Sequence, residues 1–443
     1  MSGERIVIVG GGPAGSLLAI LLARRGRNPL VIERSPRFTP NDRGGRSINL
    51  ALAARGIAAL RAAGADADVM RLAIPMRGRM VHEGGTQRLA PYGQREGEQI
   101  YSVSRAALNA LLYEIAAQRH GVEYRFGHRC VGVDVATGRP VVESPAGRTV
   151  LEADVVLAAD GAGSDVRRSL AAAGVLEARE ELLDHGYKEL TIPPAPDGGY
   201  ALDPNALHVW PRGGFMLIAL PNLDRSFTAT LFLPHEGEPS FATVRERDVQ
   251  AFFAREFPDA VPLIPRLREE FAAHPTGVLG TVRCSPWSLR GSVLLVGDAA
   301  HAIVPFHGQG MNAAFEDCVA LDRLLDRHGG NWAATFREFE EERAPNARAI
   351  AEMALENYRE MRDEVRDPKF QLRSALSFEL ERRFPGRFIP RYSMVMFHPE
   401  ISYVEARRRG AVQSAILHRL TAKATTLDDI DFALAAELVD REL

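Results

Sequence analysis

The chain has 443 residues, with 54 Lys and Arg against 57 Asp and Glu, which gives a formal net charge of -3 at pH 7. Its length exceeds one ordinary hydrophobic core, so we expect two or three packed units, while its balanced charge offers no basic surface for nucleic acid. Three widely separated cysteines disfavour a disulfide framework or a metal motif, and no run reaches the roughly 18 apolar residues of a membrane span. We therefore expect a soluble, cytoplasmic protein without nucleic-acid, metal or membrane partners.

The N-terminal segment has the pattern of a strand, a tight turn, a helix and a second strand. The apolar run Ile6–Val9 comes first, the helical stretch Ser16–Arg25 follows the turn, and Leu30–Glu33 closes the unit. Two further apolar runs of the kind found in buried parallel strands, 154–160 and 292–298, each end in an aspartate. The pattern predicts one parallel sheet assembled from three separated segments.

The turn after the first strand, Gly10-Gly-Gly-Pro-Ala-Gly15, fits the dinucleotide-binding pattern GxGxxG. Gly10 allows the sharp turn, Gly12 lets the backbone approach a pyrophosphate, and Gly15 permits close packing of the helix. Glu33, at the end of the second strand, is placed to accept hydrogen bonds from a ribose. A glycine turn without a ligand is the alternative, and the complete strand–helix–strand context weighs against it. The motif alone does not separate FAD from NAD.

The remaining elements predict a second sheet and a helical end. Antiparallel strands are expected at Tyr187–Ile192, Ala206–Trp210, Phe215–Leu220 and Phe227–Leu233. From Trp332 onward the pattern is helical, with one long helix over 336–366 that Pro345 should start or kink. The predicted fold class is α/β, with a Rossmann-type nucleotide-binding domain (1–75, 99–175 and 285–335), an inserted antiparallel sheet domain for the substrate (76–98 and 176–284) and a helical C-terminal domain (336–443).

Two later motifs indicate which nucleotide is bound. Asp160-Gly-Ala-Gly-Ser-Asp-Val-Arg167 resembles the DG motif, and Gly297-Asp-Ala-Ala-His301 the GD motif, of flavoprotein aromatic hydroxylases of the para-hydroxybenzoate hydroxylase type. This resemblance implies FAD as the cofactor, with NADPH as a transiently bound co-substrate and O2 as the oxidant. It also implies that Asp298 contacts the ribitol and pyrophosphate region of FAD and that Arg105 touches FAD. The cofactor-binding candidates are Gly10, Gly12, Gly15, Glu33, Arg34, Arg105, Asp160, Asp298, Gly310 and Met311.

The segment Pro305–Asn312 is a second glycine-rich entry into a helix. Its amide donors suit negative charge on a reduced flavin, although a purely structural turn explains the same residue types. His301 and His307 lack cysteines or carboxylates at ligand spacing, so we expect no metal there. Both histidines are interpreted as structural or flavin-facing.

Stretches outside the flavin motifs resemble one branch of that family, the kynurenine 3-monooxygenases, and together they cover nearly the whole chain. They are Gly45–Leu52, Met76–His82, Pro91–Gly93, His185–Leu190, Asn205–His208, Pro221–Phe227, Ala354–Tyr358 and Arg387–Val395. The resemblance implies hydroxylation of L-kynurenine to 3-hydroxykynurenine, a step of tryptophan catabolism, through a flavin hydroperoxide. The charged C-terminus differs from the hydrophobic anchor of animal and fungal relatives, so the chain resembles a soluble bacterial form.

The same resemblance implies how the aromatic amino acid is held. Arg79 and Tyr92 match the pair that grips the substrate carboxylate, and an arginine fork suits a carboxylate because it donates two parallel hydrogen bonds. The other matches are Asn357 and Tyr392 near the amino acid end, Met216, Phe232 and Met361 in the apolar wall, and the catalytic candidates Phe306 and His307 beside the flavin and the substrate ring.

Residue type alone gives a plainer interpretation of several of these positions. Arg77 and Arg79 share one strand face by their period of two, so either arginine could be a solvated surface residue. Methionine and phenylalanine usually fill ordinary cores. Two other functions also stay open: a related hydroxylase acting on another aromatic acid, such as an anthranilate or hydroxybenzoate, and a flavin-binding protein without turnover. The oligomeric state is not fixed by the sequence, and a homodimer is one option.

Overall fold

The computed structural model describes residues 4–38, 49–364 and 367–443, so the first four positions of the segment Gly45–Leu52 lie outside the described residues. The strands are β1 Ile6–Val9, β2 Leu30–Glu33, β3 Asn49–Leu52, β4 Ile74–Met76, β5 Gly78–Glu83, β6 Thr86–Pro91, β7 Ile100–Ser104, β8 Glu123–Phe126, β9 Arg129–Val133, β10 Pro140–Ser144, β11 Gly147–Val150, β12 Val155–Ala158, β13 Glu177–Ile192, β14 Ala206–Pro211, β15 Met216–Pro221, β16 Phe227–Pro234, β17 Gly277–Ser285, β18 Ser288–Leu289 and β19 Val293–Leu295.

The helices alternate with these strands in the first half of the chain and dominate the last third. They are α1 Pro13–Arg24, α2 Ala54–Ala63, α3 Asp66–Met70, α4 Arg105–Glu114, α5 Asp165–Ala172, α6 Val249–Glu256, α7 Leu267–Ala273, α8 Asp298–His301, α9 Gly310–Arg327, α10 Trp332–Arg359, α11 Pro368–Arg383, α12 Arg391–Phe397, α13 Tyr403–Thr421 and α14 Phe432–Glu442. Short 3-10 turns occur at Val261–Leu263, Pro305–His307 and Leu427–Asp429, and π-helical turns at Ile115–Arg119 and Glu360–Glu364.

The chain divides into two compact units, each built from three separated segments. Unit 1 comprises residues 1–73, 103–183 and 279–351, and unit 2 comprises residues 74–102, 184–278 and 352–443. The boundaries of the three predicted domains remain a prediction, and the observed packing groups residues 352–443 with the sheet of unit 2.

Unit 1 is organised around a six-stranded sheet with the order β18-β19-β12-β1-β2-β8. The three predicted segments lie side by side, because β1 pairs in parallel with both β2 and β12, and β12 pairs in parallel with β19. All four residues of β1 are buried, as their uninterrupted apolar sequence predicts. The predicted parallel sheet and the α/β fold class are therefore confirmed.

Unit 2 contains most of a seven-stranded sheet with the order β17-β13-β16-β15-β14-β5-β6. The predicted strands β13 to β16 pair antiparallel, but β14 also pairs in parallel with β5, which the sequence analysis did not anticipate. One face of the sheet packs on α6 and α7 and forms a core that includes Trp210, Leu217, Leu231 and Phe253. This core fixes the sheet whose opposite face is described below.

The C-terminal helices confirm a helical end but correct one boundary. Helix α10 begins at Trp332 and continues through Pro345, so this proline does not start it. The predicted end of that helix, Arg366, lies outside the described residues. Helices α11, α13 and α14 enclose a small core of leucines with Phe388. None of the helices in the described ranges has the length and apolar character needed to cross a bilayer.

A buried chain of hydrogen bonds ties β5 to β14 in unit 2. The Nε2 atom of His208 donates to the carbonyl of Asp203 at 2.9 Å, so its Nδ1 accepts from Nε2 of His82, also at 2.9 Å. The other side of His82 meets the carboxylate of Asp259 at 3.1 Å, and its ring stacks on Trp210. Burial lowers the pKa of both histidines, that of His208 to about 4. Folding therefore holds His208 neutral.

This network predicts a loss of stability in acid. The unfolded chain protonates His208 near its ordinary pKa of 6.5 and the folded chain only near 4, so unfolding takes up a proton between these values. The single site should lower the unfolding free energy by about 3 kcal/mol between pH 7 and pH 4. His208→Asn keeps an acceptor for His82 but does not titrate, so urea unfolding of this variant should show a pH dependence smaller by that amount. The exposed His418→Asn is the matched control, and equal pH dependences for His208→Asn and wild type would contradict the assignment.

Candidate active site

The turn between β1 and α1 has two glycines that packing requires and one that leaves space. Gly10 has φ +93°, and a Cβ there would lie 2.6 Å from the carbonyl oxygen of Ala159. A Cβ on Gly15 would come within 1.9 Å of the Gly10 carbonyl oxygen, so α1 can start close to β1 only without one. At Gly12, by contrast, no heavy atom of the described chain lies within 4 Å of an added Cβ. The turn is therefore tightly packed at Gly10 and Gly15, and it leaves open space beside Gly12.

Glu33 fixes this turn from the end of β2. Its carboxylate is buried and accepts hydrogen bonds from the amides of Gly11 and Ser35, both at 2.8 Å. A carboxylate has about four acceptor positions, so two backbone donors leave capacity for hydroxyl donors of a ligand. Glu33 thus holds the turn and still presents acceptors to the cleft beside it.

A cleft in unit 1 collects most of the predicted cofactor-binding residues. It encloses about 290 Å³, near the lower end of the roughly 300–1,000 Å³ of small-molecule sites. The predicted residues that line it are Gly10, Gly12, Glu33, Arg34, Arg105, Asp160, Asp298 and Met311. Gly15 lies behind it in the packed start of α1, and Gly310 begins α9, with its added Cβ 3.9 Å from Oδ1 of Asp298.

Asp160 brings a polar atom without a protein partner to this cleft. Its Oδ2 accepts from the amide of Val166 at 3.3 Å, while its buried Oδ1 has no hydrogen-bond partner among the described residues. Burial raises the pKa of this carboxyl, which shows that its charge is poorly compensated by the protein. An unmatched acceptor at a cleft wall fits a ligand that supplies hydroxyl or amide donors.

The sequence analysis missed the buried network that holds the GD motif. The carboxylate of Asp317, on α9, accepts from the amide of Gly297 at 3.0 Å, from Nε2 of His301 at 2.5 Å and from Nε of Arg343 at 2.7 Å. Burial would raise the pKa of Asp317, but His301 and Arg343 outweigh it and lower that pKa, so the group is ionised. Asp317 therefore fixes the backbone at Gly297, directly before Asp298. No local pattern in the sequence marks it.

His301 is accordingly structural, and the part of the chain that the structure describes contains no group of three or more histidines, cysteines or carboxylates arranged to hold a metal ion. His307 and Phe306 lie in the 3-10 turn after α8, and both side chains are buried. They belong to unit 1.

Three of the predicted substrate residues form one cluster in unit 2. The hairpin of β5 and β6 brings Tyr92 to Arg79, whose guanidinium carbon lies 5.6 Å from the Tyr92 ring centre and 5.1 Å from that of Tyr392. The two tyrosine rings stack with centres 5.4 Å apart. Burial raises the pKa of both phenols, so at neutral pH they are neutral and keep their O–H donors. Arg77, the alternative arginine, precedes β5 and is exposed.

The strand register places the other sheet residues on the same face as Arg79. Arg79 pairs with Leu207 of β14, and four residues further along the same face Pro211 pairs with Met216, which pairs with Phe232. Side chains at a spacing of two, and those directly opposite each other, point to the same side of a sheet. Arg79, Met216 and Phe232 therefore share the face opposite the Trp210 core.

Asn357 and Met361 lie one helical turn apart, as predicted, and the Asn357 amide reaches the Met361 sulfur at 3.4 Å. Both side chains are buried. The neighbouring Glu360 pairs with Arg391 at 2.6 Å, directly before Tyr392 in α12. The ion pair between Glu360 and Arg391 thus links the helix that carries Asn357 to the helix that carries Tyr392.

Comparison with known proteins identifies the family of this chain. A family model described as an FAD binding domain matches residues 4–354. A kynurenine 3-monooxygenase from Stenotrophomonas maltophilia (strain K279a) is 48% identical over 98% of this chain and 96% of its own length. Another, from Xanthomonas euvesicatoria pv. vesicatoria (strain 85-10), is 49% identical over 100% of this chain and 98% of its own length. The chain belongs to the kynurenine 3-monooxygenase family.

Solved structures show the same fold at lower identity. 2-Methyl-3-hydroxypyridine-5-carboxylic acid oxygenase is 20% identical, with a TM-score of 0.68 over 86% of this chain and 98% of its own. p-Nitrophenol 4-monooxygenase PnpA from Pseudomonas putida DLL-E4 is 19% identical, with a TM-score of 0.66 over 94% of this chain and 98% of its own. This member of the kynurenine 3-monooxygenase family is thus an FAD-dependent aromatic hydroxylase, and the cleft of unit 1, with its open Gly12 and unmatched Asp160, fits the cofactor.

Substitution by alanine should have different effects at Gly12 and at Gly15. Gly12→Ala places a methyl group in the open space, so it should weaken FAD binding by about tenfold or more and leave the unfolding of the FAD-free protein unchanged. Gly15→Ala should instead destabilise the FAD-free protein by about 1–3 kcal/mol, because its Cβ collides with backbone. Fluorescence titration with FAD and urea unfolding measure the two effects. Wild-type FAD affinity in Gly12→Ala would rule out this position for the pyrophosphate.

Proposed function

We propose that the protein hydroxylates L-kynurenine to 3-hydroxykynurenine, with FAD as cofactor and NADPH and O2 as co-substrates, in tryptophan catabolism. The full-length similarity to proteins named kynurenine 3-monooxygenase supports the substrate class. The main observation behind the proposal is that Arg79 forms no ion pair within the described chain, so an anionic ligand would stabilise it.

Arg79 is a cation without a carboxylate of its own. No ion pair joins it to any acid of the described chain, and its buried Nε has no hydrogen-bond partner there. The nearest acid to act on it, Glu360, is already paired with Arg391. A half-buried charge of this kind has lost part of its hydration, which is costly unless an opposite charge meets it. A substrate carboxylate supplies that charge in the planar two-bond geometry that a guanidinium prefers.

Tyr92 and Tyr392 complete the proposed grip. Because their phenols stay neutral at physiological pH, they donate hydrogen bonds to an anion instead of repelling it. Their stacked rings also limit the positions that Arg79 can take. Asn357 lies on the neighbouring helical side and is the proposed partner of the polar amino acid end of the substrate.

Met216, Phe232 and Met361 are the proposed wall for the aromatic ring. They are buried, and Met216 and Phe232 are direct neighbours across two strands, so their surface is rigid and apolar. FAD bound in the cleft of unit 1 would supply the redox chemistry with O2. The part left to the chain is to orient the ring and to exclude water from it, which apolar side chains achieve. Phe306 and His307, which lie in unit 1, are the proposed residues beside the flavin.

The proposed location is the cytoplasm, where reducing conditions suit the unpaired Cys130, Cys284 and Cys318. A homodimer stays a prediction.

Product analysis tests the proposed substrate. Incubation of the FAD-loaded protein with kynurenine, NADPH and O2 should yield 3-hydroxykynurenine, and kynurenine should accelerate NADPH oxidation. Anthranilate and hydroxybenzoate are the comparison substrates, because they carry a carboxylate directly on the ring and lack the amino acid chain. If either is hydroxylated while kynurenine is inert, the flavin chemistry stands and the proposed substrate is wrong.

Arg79→Gln should weaken kynurenine binding by about 2–4 kcal/mol, since the carboxylate then enters a partly apolar site without its charged partner. Arg79→Lys should recover only part of this loss, because an ammonium restores charge without the fork. FAD content should not change. Arg77→Gln is the matched control, as its exposed side chain lies two residues earlier. Equal kynurenine dissociation constants for Arg79→Gln and Arg77→Gln would remove Arg79 from the site.

A further inference from the structure

Unit 1 has a second cavity, distinct from the FAD cleft in its lining. It encloses about 220 Å³ and lies among β13, β17, α8 and α10. Three arginines line it, Arg179, Arg283 and Arg348, against a single carboxylate, that of Glu177. In a chain with a net charge of -3, this is a local excess of positive charge. We call it the basic pocket.

Two of these arginines have no ionic partner. Arg283 pairs with Glu181 at 3.1 Å, but neither Arg179 nor Arg348 forms an ion pair with any acid in the described ranges 4–38, 49–364 and 367–443. Glu177 and Arg179 stand two residues apart on β13, so their side chains point to one side of the strand. The pocket therefore offers two uncommitted guanidinium groups to an anion.

The floor of the basic pocket is apolar and made of small residues. Ala344, Ala347 and Ala351 recur with Arg348 at the spacing of one helix face of α10, and alanines leave room that longer side chains would fill. Trp287 lies buried beside them, with its indole N–H already bonded to the carbonyl of Cys284. A ligand with an apolar planar body and an anionic group matches this combination of floor and rim.

One short helix separates the basic pocket from the FAD cleft. Asp298, the first residue of α8, lines the cleft, while Ala300 and His301, at its end, line the pocket. The ring of His301 also meets Asp317, which holds the turn of Gly297. A ligand in the basic pocket is thus less than two helical turns of backbone from the flavin site.

We infer that the basic pocket binds the 2′-phosphoadenosine end of NADPH. The 2′-phosphate would supply the negative charge with which Arg179 and Arg348 can pair. Guanidinium groups bind phosphate oxygens through two parallel hydrogen bonds. Adenine supplies a planar body for the alanine floor. The inference rests on the proposed function in one respect, that NADPH is the reductant. The arginines then serve to distinguish NADPH from NADH, which lacks this phosphate.

The binding of adenosine 2′,5′-bisphosphate to the FAD-loaded protein, measured by calorimetry, tests the inference without turnover. Arg179→Gln and Arg348→Gln should each weaken it by about tenfold, the loss of one charge-assisted contact. Glu177→Gln should strengthen it, because it removes the carboxylate facing the anion. Arg148→Gln, an exposed arginine of β11 in the same unit, is the matched control and should bind as wild type. In kinetics, the KM for NADPH should rise in the two arginine variants while that for NADH changes by less than about twofold.

Three results would overturn the assignment: no binding of adenosine 2′,5′-bisphosphate to wild type, equal binding in Arg148→Gln and the pocket variants, or displacement by inorganic phosphate as effective as by the nucleotide. The last result would mean a simple anion site. All of these readouts are independent of the aromatic substrate, so a failure of kynurenine as substrate and a failure of the basic pocket would be told apart.

Discussion

The cofactor side of this protein depends on the buried carboxylate of Asp317. Three donors converge on it: the amide of Gly297 and the ring of His301, both in the GD motif, and the guanidinium of Arg343 on α10. An ionised group removed from water is stable only when its partners are complete, and the loss of one partner of a buried pair typically costs about 3–5 kcal/mol. Gly297 has φ +62°, a conformation that favours glycine, and its amide is held by this bond. The position of Asp298 in the cleft follows from that constraint.

In unit 2, one face of the sheet forms a hydrophobic core and the opposite face carries proposed substrate residues. Alternation along each strand directs Trp210, Leu217 and Leu231 to the helices α6 and α7, and directs their neighbours to the opposite side. A shift of the register by one residue would exchange the two sets. The packing of the core therefore also fixes which residues, Arg79 and Met216 among them, face the other way.

The sequence predicted those parts of the fold that local patterns determine. Ile6–Val9 and Leu30–Glu33 were predicted with the observed bounds, since an apolar run between glycines permits few alternatives. The parallel pairing of β5 with β14 was missed because the two strands lie far apart in the chain and no local pattern links them. Pro345 was expected to start or kink a long helix, yet α10 begins at Trp332 and continues through this proline. Asp317 and Arg343 have no local signature either, because their importance arises only when α9 and α10 pack together.

For the candidate residues, the family resemblance selected positions that residue types could not. Arg77 and Arg79 are equivalent by sequence period, and the structure separates them, one exposed before the strand and one within the tyrosine cluster. The net charge of -3 likewise conceals where a cation forms no ion pair, and Arg79, Arg179 and Arg348 are among the arginines of the described chain for which this holds. The environments of these three differ. A half-buried guanidinium gains most from a carboxylate that also leaves water, which favours orientation and selectivity, whereas exposed arginines at a pocket rim mainly attract an anion and are weakened by salt. The first kind of site suits a substrate that must be held in one orientation. The second kind suits a reductant that binds and leaves in each turnover.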